Sequence, residues 1–143
     1  HKAGTASFAE NYHLSFPNYD GERVTLISFR LKPLIVYSWA SWSPYSAEQF
    51  VSLRALKQKL GDSVHIVAIN RGEPLAEARA FTDRLDLGTD IVLLLDPDDA
   101  YYASIGGYAM PETLFISASG DERLHQRGPL SVEALEAGLQ SAL

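Results

Sequence analysis

Trp39-Ala40-Ser41-Trp42-Ser43-Pro44-Tyr45-Ser46 joins two segments of opposite periodicity. Before it runs Leu34-Ile35-Val36-Tyr37-Ser38-Trp39, nearly all apolar, as expected of a central strand covered on both faces. After it, Phe50, Leu53, Leu56 and Leu60 fall on one helical stripe that stops at Gly61-Asp62, which predicts a helix opening near Pro44. The stretch is therefore a strand-to-helix junction carrying two small hydroxyl residues, Ser43 and Ser46, three apart. Taken alone, Ser-Pro-x-Ser at such a place reads as an N-cap and a first-turn polar residue.

Working outward, Val64-His65-Ile66-Val67-Ala68-Ile69 is a second buried strand. Strand, long crossover and strand imply a parallel pair joined right-handedly. Pro74 opens a helix with Leu75, Ala78, Phe81 and Leu85 at helical spacing, and Ile91-Val92-Leu93-Leu94-Leu95 is a short strand. Asp96-Pro97-Asp98-Asp99 caps a short helix through Ile105, closed by Gly106-Gly107. Thr113-Leu114-Phe115-Ile116 and Arg123-Leu124-His125-Gln126 flank Ala118-Ser119-Gly120-Asp121 as a β-hairpin. Ser131 caps a last helix with Glu133 in its first turn and Val132, Leu135 and Leu139 facing inward. Upstream, Tyr12-His13-Leu14-Ser15-Phe16 and Arg23-Val24-Thr25-Leu26 pair across a turn, Pro17-Asn18-Tyr19-Asp20-Gly21, whose Asp-Gly is a hairpin signal. Residues 1–7 are expected to be a loose lead-in. The order predicts an α/β sandwich with a mixed sheet, as a single domain over residues 1–143.

Composition narrows the chemistry. The 143 residues suffice for one core, and the 46% hydrophobic and 21% charged fractions are ordinary for a globular chain. A formal charge of −6 with no basic patch argues against nucleic acid. No apolar run approaches the roughly 20 residues of a membrane span. The start on His1-Lys2-Ala3-Gly4-Thr5 carries no apolar signal segment, and a leader or membrane tether is expected, if anywhere, outside this chain. There is no cysteine, so disulfides, thiolate metal sites and thiol catalysis are excluded for the chain as it stands. His1, His13, His65 and His125 lack ligand spacing, so neither a metal nor a cofactor is expected.

The stretch 39–46 closely resembles the W-A-x-W-C-P-x-C active-site segment of thioredoxin-fold thiol–disulfide oxidoreductases, with serine at both cysteine positions. Asp20-Gly21 with Val24 and Leu26 is similar to the D-G-x-x-V-x-L hairpin of the TlpA, ResA and CcmG (DsbE) branch. Gly107-Tyr108-Ala109-Met110-Pro111-Glu112-Thr113-Leu114-Phe115-Ile116 is similar to that branch's G-x-P-x-T-F-L-I segment. Together these resemblances span residues 8–143. They imply a thioredoxin-like sandwich with a central mixed β-sheet flanked by helices, an N-terminal β-hairpin and a TlpA-type insertion.

The resemblance implies that Ser43 and Ser46 stand where the family's nucleophilic and resolving cysteines stand. At a helix N-terminus, free N–H groups and the helix dipole stabilise a thiolate. It also implies that Pro111 is cis and faces the 43–46 turn, exposing the backbone of Met110 to an extended substrate. Trp42, Pro44, Tyr45, Met110 and Pro111 are thereby the implied substrate-binding set. The aromatic residues Tyr45, Tyr101, Tyr102 and Tyr108 either rim a partner groove or pack in the core, and Tyr45 is expected to be exposed. This chain departs from the patterns it resembles in two places: Tyr37 takes the place of a buried Asp found in many thioredoxins, and Gln49 takes the place of a Glu common in ResA-like proteins. Glu48, beside Gln49, is expected to be a solvated helix charge.

Two functional readings follow. In the first, the parent is a thiol–disulfide oxidoreductase acting on exported proteins or in cytochrome c maturation, extracytoplasmic and monomeric. Its partners are protein disulfides, protein dithiols or a redox partner, and this chain is its redox-inactive Cys-to-Ser form. In the second, the chain is a naturally Cys-less module that binds a peptide or partner. No G-x-S-x-G elbow supports a serine hydrolase.

Overall fold

In the computed structural model, the strand Leu34–Trp39 (β3) is buried at every residue, and its side chains alternate between two cores. Ile35, Tyr37 and Trp39 enter one; Leu34 and Val36 enter the other. Both faces of the sheet are therefore covered, which is why the run is continuously apolar. The structure describes residues 13–143; the lead-in expected over 1–7 and the strand start at Tyr12 lie outside the described residues.

The helix Ser46–Leu60 (α1) places Phe50, Leu53 and Leu56 against the first core, with Leu60 partly buried on it. It ends at Gly61, whose φ of 59° is in the left-handed region that glycine adopts most readily. The helix begins at Ser46 rather than near Pro44, because the chain first completes a turn over Ser43–Ser46, closed by the Ser46 amide donating to the Ser43 carbonyl at 3.3 Å.

The strand His65–Arg71 (β4) runs parallel to β3 and carries Ile66 and Ala68 into the first core and Val67 and Ile69 into the second. It extends two residues past the apolar run because Asn70 and Arg71 still pair, Asn70 with both Trp39 and Leu95, and Arg71 with Asp96. The helix Leu75–Asp83 (α2) follows, with Pro74 preceding its first turn. The strand Val92–Asp96 (β5) runs parallel to β4. The short helix Ala100–Ser104 (α3) has its first amides, Ala100 and Tyr101, donating to the Asp96 carboxylate at 3.2 and 2.8 Å.

The strands Glu112–Ile116 (β6) and Glu122–Arg127 (β7) form the expected hairpin, with β6 antiparallel to β3. The helix Val132–Gln140 (α4) is capped by the Ser131 hydroxyl, which accepts from the Ala134 amide at 3.1 Å. Its Leu135 and Leu139 are buried, whereas Val132 is only half-buried.

The sheet order is β5-β4-β3-β6-β7. A separate ribbon pairs Ser15–Pro17 (β1) with Arg23–Thr25 (β2), and an Asn18–Leu94 bridge ties it to the β5 edge. Leu26 leaves that ribbon for a 3₁₀ turn and is fully buried in the second core with Phe16, Tyr101 and Ile105. The result is a mixed sheet between helices, with the ribbon at one edge and α2, β5 and α3 inserted between β4 and β6.

Candidate active site

The antiparallel register of β3 and β6 fixes where the site lies. Ser38 pairs with Glu112, so the chain leaving β3 through Trp39 and the chain entering β6 through Pro111 meet at one end of the sheet. The 39–46 junction and the 107–111 loop therefore lie at the same sheet end and bound the candidate cleft. The Met110–Pro111 peptide is cis, Pro111 is buried, and its carbonyl accepts from the Gly128 amide at 2.9 Å. Met110 is half-buried beside it.

Ser43 is 6% exposed and Ser46 1% exposed. The Ser43 amide donates to the Ala40 carbonyl at 3.2 Å, and the Ser43 hydroxyl accepts from the Tyr45 amide at 3.3 Å. The Ser46 hydroxyl donates to the Ala40 carbonyl at 2.6 Å. Both hydroxyls thus satisfy backbone groups of the turn, as small polar residues at a helix start do. Around them Trp42, Pro44 and Tyr45 are exposed, Trp42 by 64%. Tyr108 on the opposite loop is 77% exposed, while Tyr101 and Tyr102 are buried.

Beneath the turn, the Tyr37 hydroxyl is buried and lies near Ser46 without hydrogen-bond geometry. Burial pushes this phenol well above its ordinary range, against a smaller opposing pull from the Ser46 hydroxyl, so it is a neutral O–H at physiological pH. Gln49 is 2% exposed and clamps the segment before α4: its amide nitrogen donates to the Leu130 carbonyl at 2.9 Å and its oxygen accepts from the Leu130 amide at 2.8 Å. An amide side chain donates and accepts at once, which an ionised carboxylate does not, so Gln suits this clamp. Glu48 is exposed, as expected of a solvated helix charge.

Several residues that hold the cleft have no role assigned by the motifs. Glu112 is fully buried, and one of its carboxylate oxygens accepts from the Tyr108 and Ala109 amides at 2.7 and 2.8 Å. The other oxygen meets His125 Nε2 and, at 3.2 Å, Arg127 Nε. A buried carboxylate with several donors around it is compensated. Arg127 also lies over the Tyr108 ring at 4.3 Å. On the other wall, Glu73 accepts from the Ser41 amide at 2.8 Å and from the Ser41 hydroxyl. The sequence signal for these groups is a polar or charged residue at the end of an apolar strand: Asn70 and Arg71 close β4 and Glu112 opens β6.

Among the described residues no cluster of His, Asp and Glu is arranged to hold a metal ion, and no helix is long and apolar enough to cross a membrane.

A family model described as Redoxin matches residues 5–143. Among curated proteins, the chain is 28% identical over 106 residues to the thiol:disulfide interchange protein DsbE of Allochromatium vinosum, covering 74% of this chain and 57% of that protein. It is 28% identical over 142 residues to the thiol-disulfide oxidoreductase ResA of Geobacillus thermodenitrificans, covering 94% of this chain and 76% of that one. The chain thus spans less than two thirds of the DsbE relative's length. Among solved structures, a secreted Mycobacterium tuberculosis disulfide oxidoreductase homologous to E. coli DsbE superposes with a TM-score of 0.80 at 19% identity, covering 92% of this chain and 98% of that one.

Proposed function

The chain belongs to the redoxin family, and on that premise we propose that its cleft is the active site of a thiol–disulfide oxidoreductase of the DsbE and ResA type, carried here in a redox-silent form. Ser43 and Ser46 take the positions of the nucleophilic and resolving cysteines. The observation that carries this reading is the pairing of Ser38 with Glu112, which brings the serine turn and the cis Met110–Pro111 peptide to one sheet end.

With cysteine at both positions the chemistry balances. The thiolate at 43 attacks one sulfur of a substrate disulfide and displaces the other as a thiolate, which takes a proton from solvent. The thiolate at 46 then attacks the sulfur at 43 and releases the second substrate thiol. One substrate disulfide is reduced, one 43–46 dithiol is oxidised, and an external dithiol resets it. A serine hydroxyl is not ionised near neutral pH and forms no disulfide, so the chain as it stands binds without exchanging.

Trp42, Pro44, Tyr45 and Met110 form the binding rim, with Pro111 shaping it from beneath. The substrates are protein disulfides, and the place of action is outside the cytoplasm. The secreted character of the Mycobacterium tuberculosis structural relative supports that placing. The chain acts as one domain and as a monomer.

The test is the S43C/S46C variant in an insulin-reduction assay with dithiothreitol. It is expected to reduce insulin well above the dithiothreitol background, while the parent chain does not. A folded S43C/S46C chain with no activity overturns the reading. The absence of any cysteine and the exposed Trp42, Tyr45 and Tyr108 favour a second reading, a naturally Cys-less peptide-binding module. Serine codons at 43 and 46 in the natural gene would select it.

A further inference from the structure

The strand β4 ends in Asn70-Arg71 and is followed by Gly72-Glu73, and the three side chains of this segment reach both walls of the cleft. Asn70 is fully buried and donates to Glu73 Oε1 at 2.8 Å, while the Glu73 amide donates back to Asn70 Oδ1 at 3.2 Å. Gly72 makes this return possible: its φ is +59° and its amide donates to the Asp96 carbonyl at 3.0 Å. The Glu73 carboxylate, so oriented, takes both the amide and the hydroxyl of Ser41, two residues before Ser43. Charge-assisted bonds to a backbone amide are among the stronger and more directional ones.

Arg71 serves the other wall. Its guanidinium pairs with Asp99 at 2.7 and 3.0 Å and lies 3.4 Å from the centroid of the Tyr102 ring. The Tyr102 hydroxyl donates to the Ala109 carbonyl at 2.5 Å, just before Met110-Pro111. Gly107 is pressed onto the same ring: a Cβ there would fall 2.6 Å from Tyr102 carbons. The 107–111 loop is therefore moulded on Tyr102, and Tyr102 is held by Arg71.

We propose that segment 70–73 is a brace that positions both walls of the cleft, Glu73 setting the 41–46 turn and Arg71 through Tyr102 setting the 107–111 loop. These are positioning residues. The inference rests on the oxidoreductase reading for its kinetic consequence and on geometry alone for its structural one.

The experiment has two arms. In the chain as it stands, amide hydrogen exchange is followed at Ser41, Tyr108 and Ala109 in the E73A and Y102F variants. E73A is expected to speed exchange at Ser41 about fivefold, the loss of roughly one hydrogen bond, and to leave Tyr108 and Ala109 within about twofold. Y102F is expected to do the reverse. Acceleration at all three sites in either variant, or at none, overturns the brace. In the S43C/S46C background, E73A is expected to lower kcat for insulin reduction with KM held, and Y102F to raise KM with kcat held. Parallel changes in both constants also overturn it. A S43C/S46C chain with no reductase activity overturns the oxidoreductase reading instead, and the exchange arm then decides the brace by itself.

Discussion

Tyr37 places a hydroxyl in the first core with no bonding partner, against the usual rule that buried polar groups are paired. Its ring is edge-on to Phe50 at 5.3 Å, a contact that a phenylalanine would keep. Removing an unpaired buried hydroxyl removes a desolvation penalty, so Y37F is expected to be neutral or to stabilise by up to about 1 kcal/mol. Urea unfolding checks this. A loss of more than about 1 kcal/mol would mean that the hydroxyl bonds Ser46 in solution. At this scale the sequence was legible where chemistry is local. Ser43, Ser46 and Tyr45 stand where a turn-and-helix start puts them, and Ser131 caps α4. Glu73 and Arg71 are not legible as parts of the cleft, and Tyr102 is legible only as either a groove or a core residue. Their partners, Ser41 and Ala109, are brought near only by the sheet order or lie in an aperiodic loop.

Periodicity gives the elements, and the structure differs from it at their ends. The start of α1 moved from Pro44 to Ser46 and β4 reached Arg71, because terminal hydrogen bonds and sheet pairing decide boundaries and periodicity does not see them. The packing of elements on one another was invisible at this level, and Gly138 on α4 shows why. Intrinsic propensity makes a helical glycine a weak point that alanine should improve by about 1 kcal/mol. Yet a Cβ at Gly138 would stand 2.5 Å from the Phe115 ring, which is fully buried in β6. Overpacking a tight core costs about 1–3 kcal/mol. G138A is therefore expected to be net destabilising, and pairing it with F115L should recover part of the loss, because the two sites share one contact. A chemical-denaturation series on the two single variants and the double decides it; additive losses would show that α4 shifts away from Phe115 as a body.

For the molecule as a whole, the pattern of elements around Leu34–Trp39 is enough to give the mixed sheet, since a strand buried on both faces requires layers on both sides. The two-core arrangement follows from the alternation along β3, but which helix fills which core does not. The response to acid is likewise a property of the assembled chain. A charge of −6 at neutral pH and an isoelectric point near 5.1 mean that acidification relieves self-repulsion, which favours the folded state. His65 opposes this. At the start of β4 its imidazole is half-buried, edge-on to Phe29 at 5.3 Å, and burial first, then Lys32 and Lys57, hold its pKa below the ordinary 6.5. The unfolded chain therefore takes up this proton first, and stability is lost as pH falls from about 6.5 toward the folded value. Asp96 acts with the opposite sign: burial raises its pKa, so the folded chain holds that proton to higher pH and acidification through that range stabilises. Because these contributions differ in sign and add in one profile, the wild-type curve alone identifies none of them. Comparing urea midpoints at about pH 7.5 and about pH 5.5 in the wild type and in H65Q isolates the imidazole. H65Q is expected to lose less, or gain more, than the wild type between the two pH values, and parallel behaviour would assign the His65 proton equal affinity in both states.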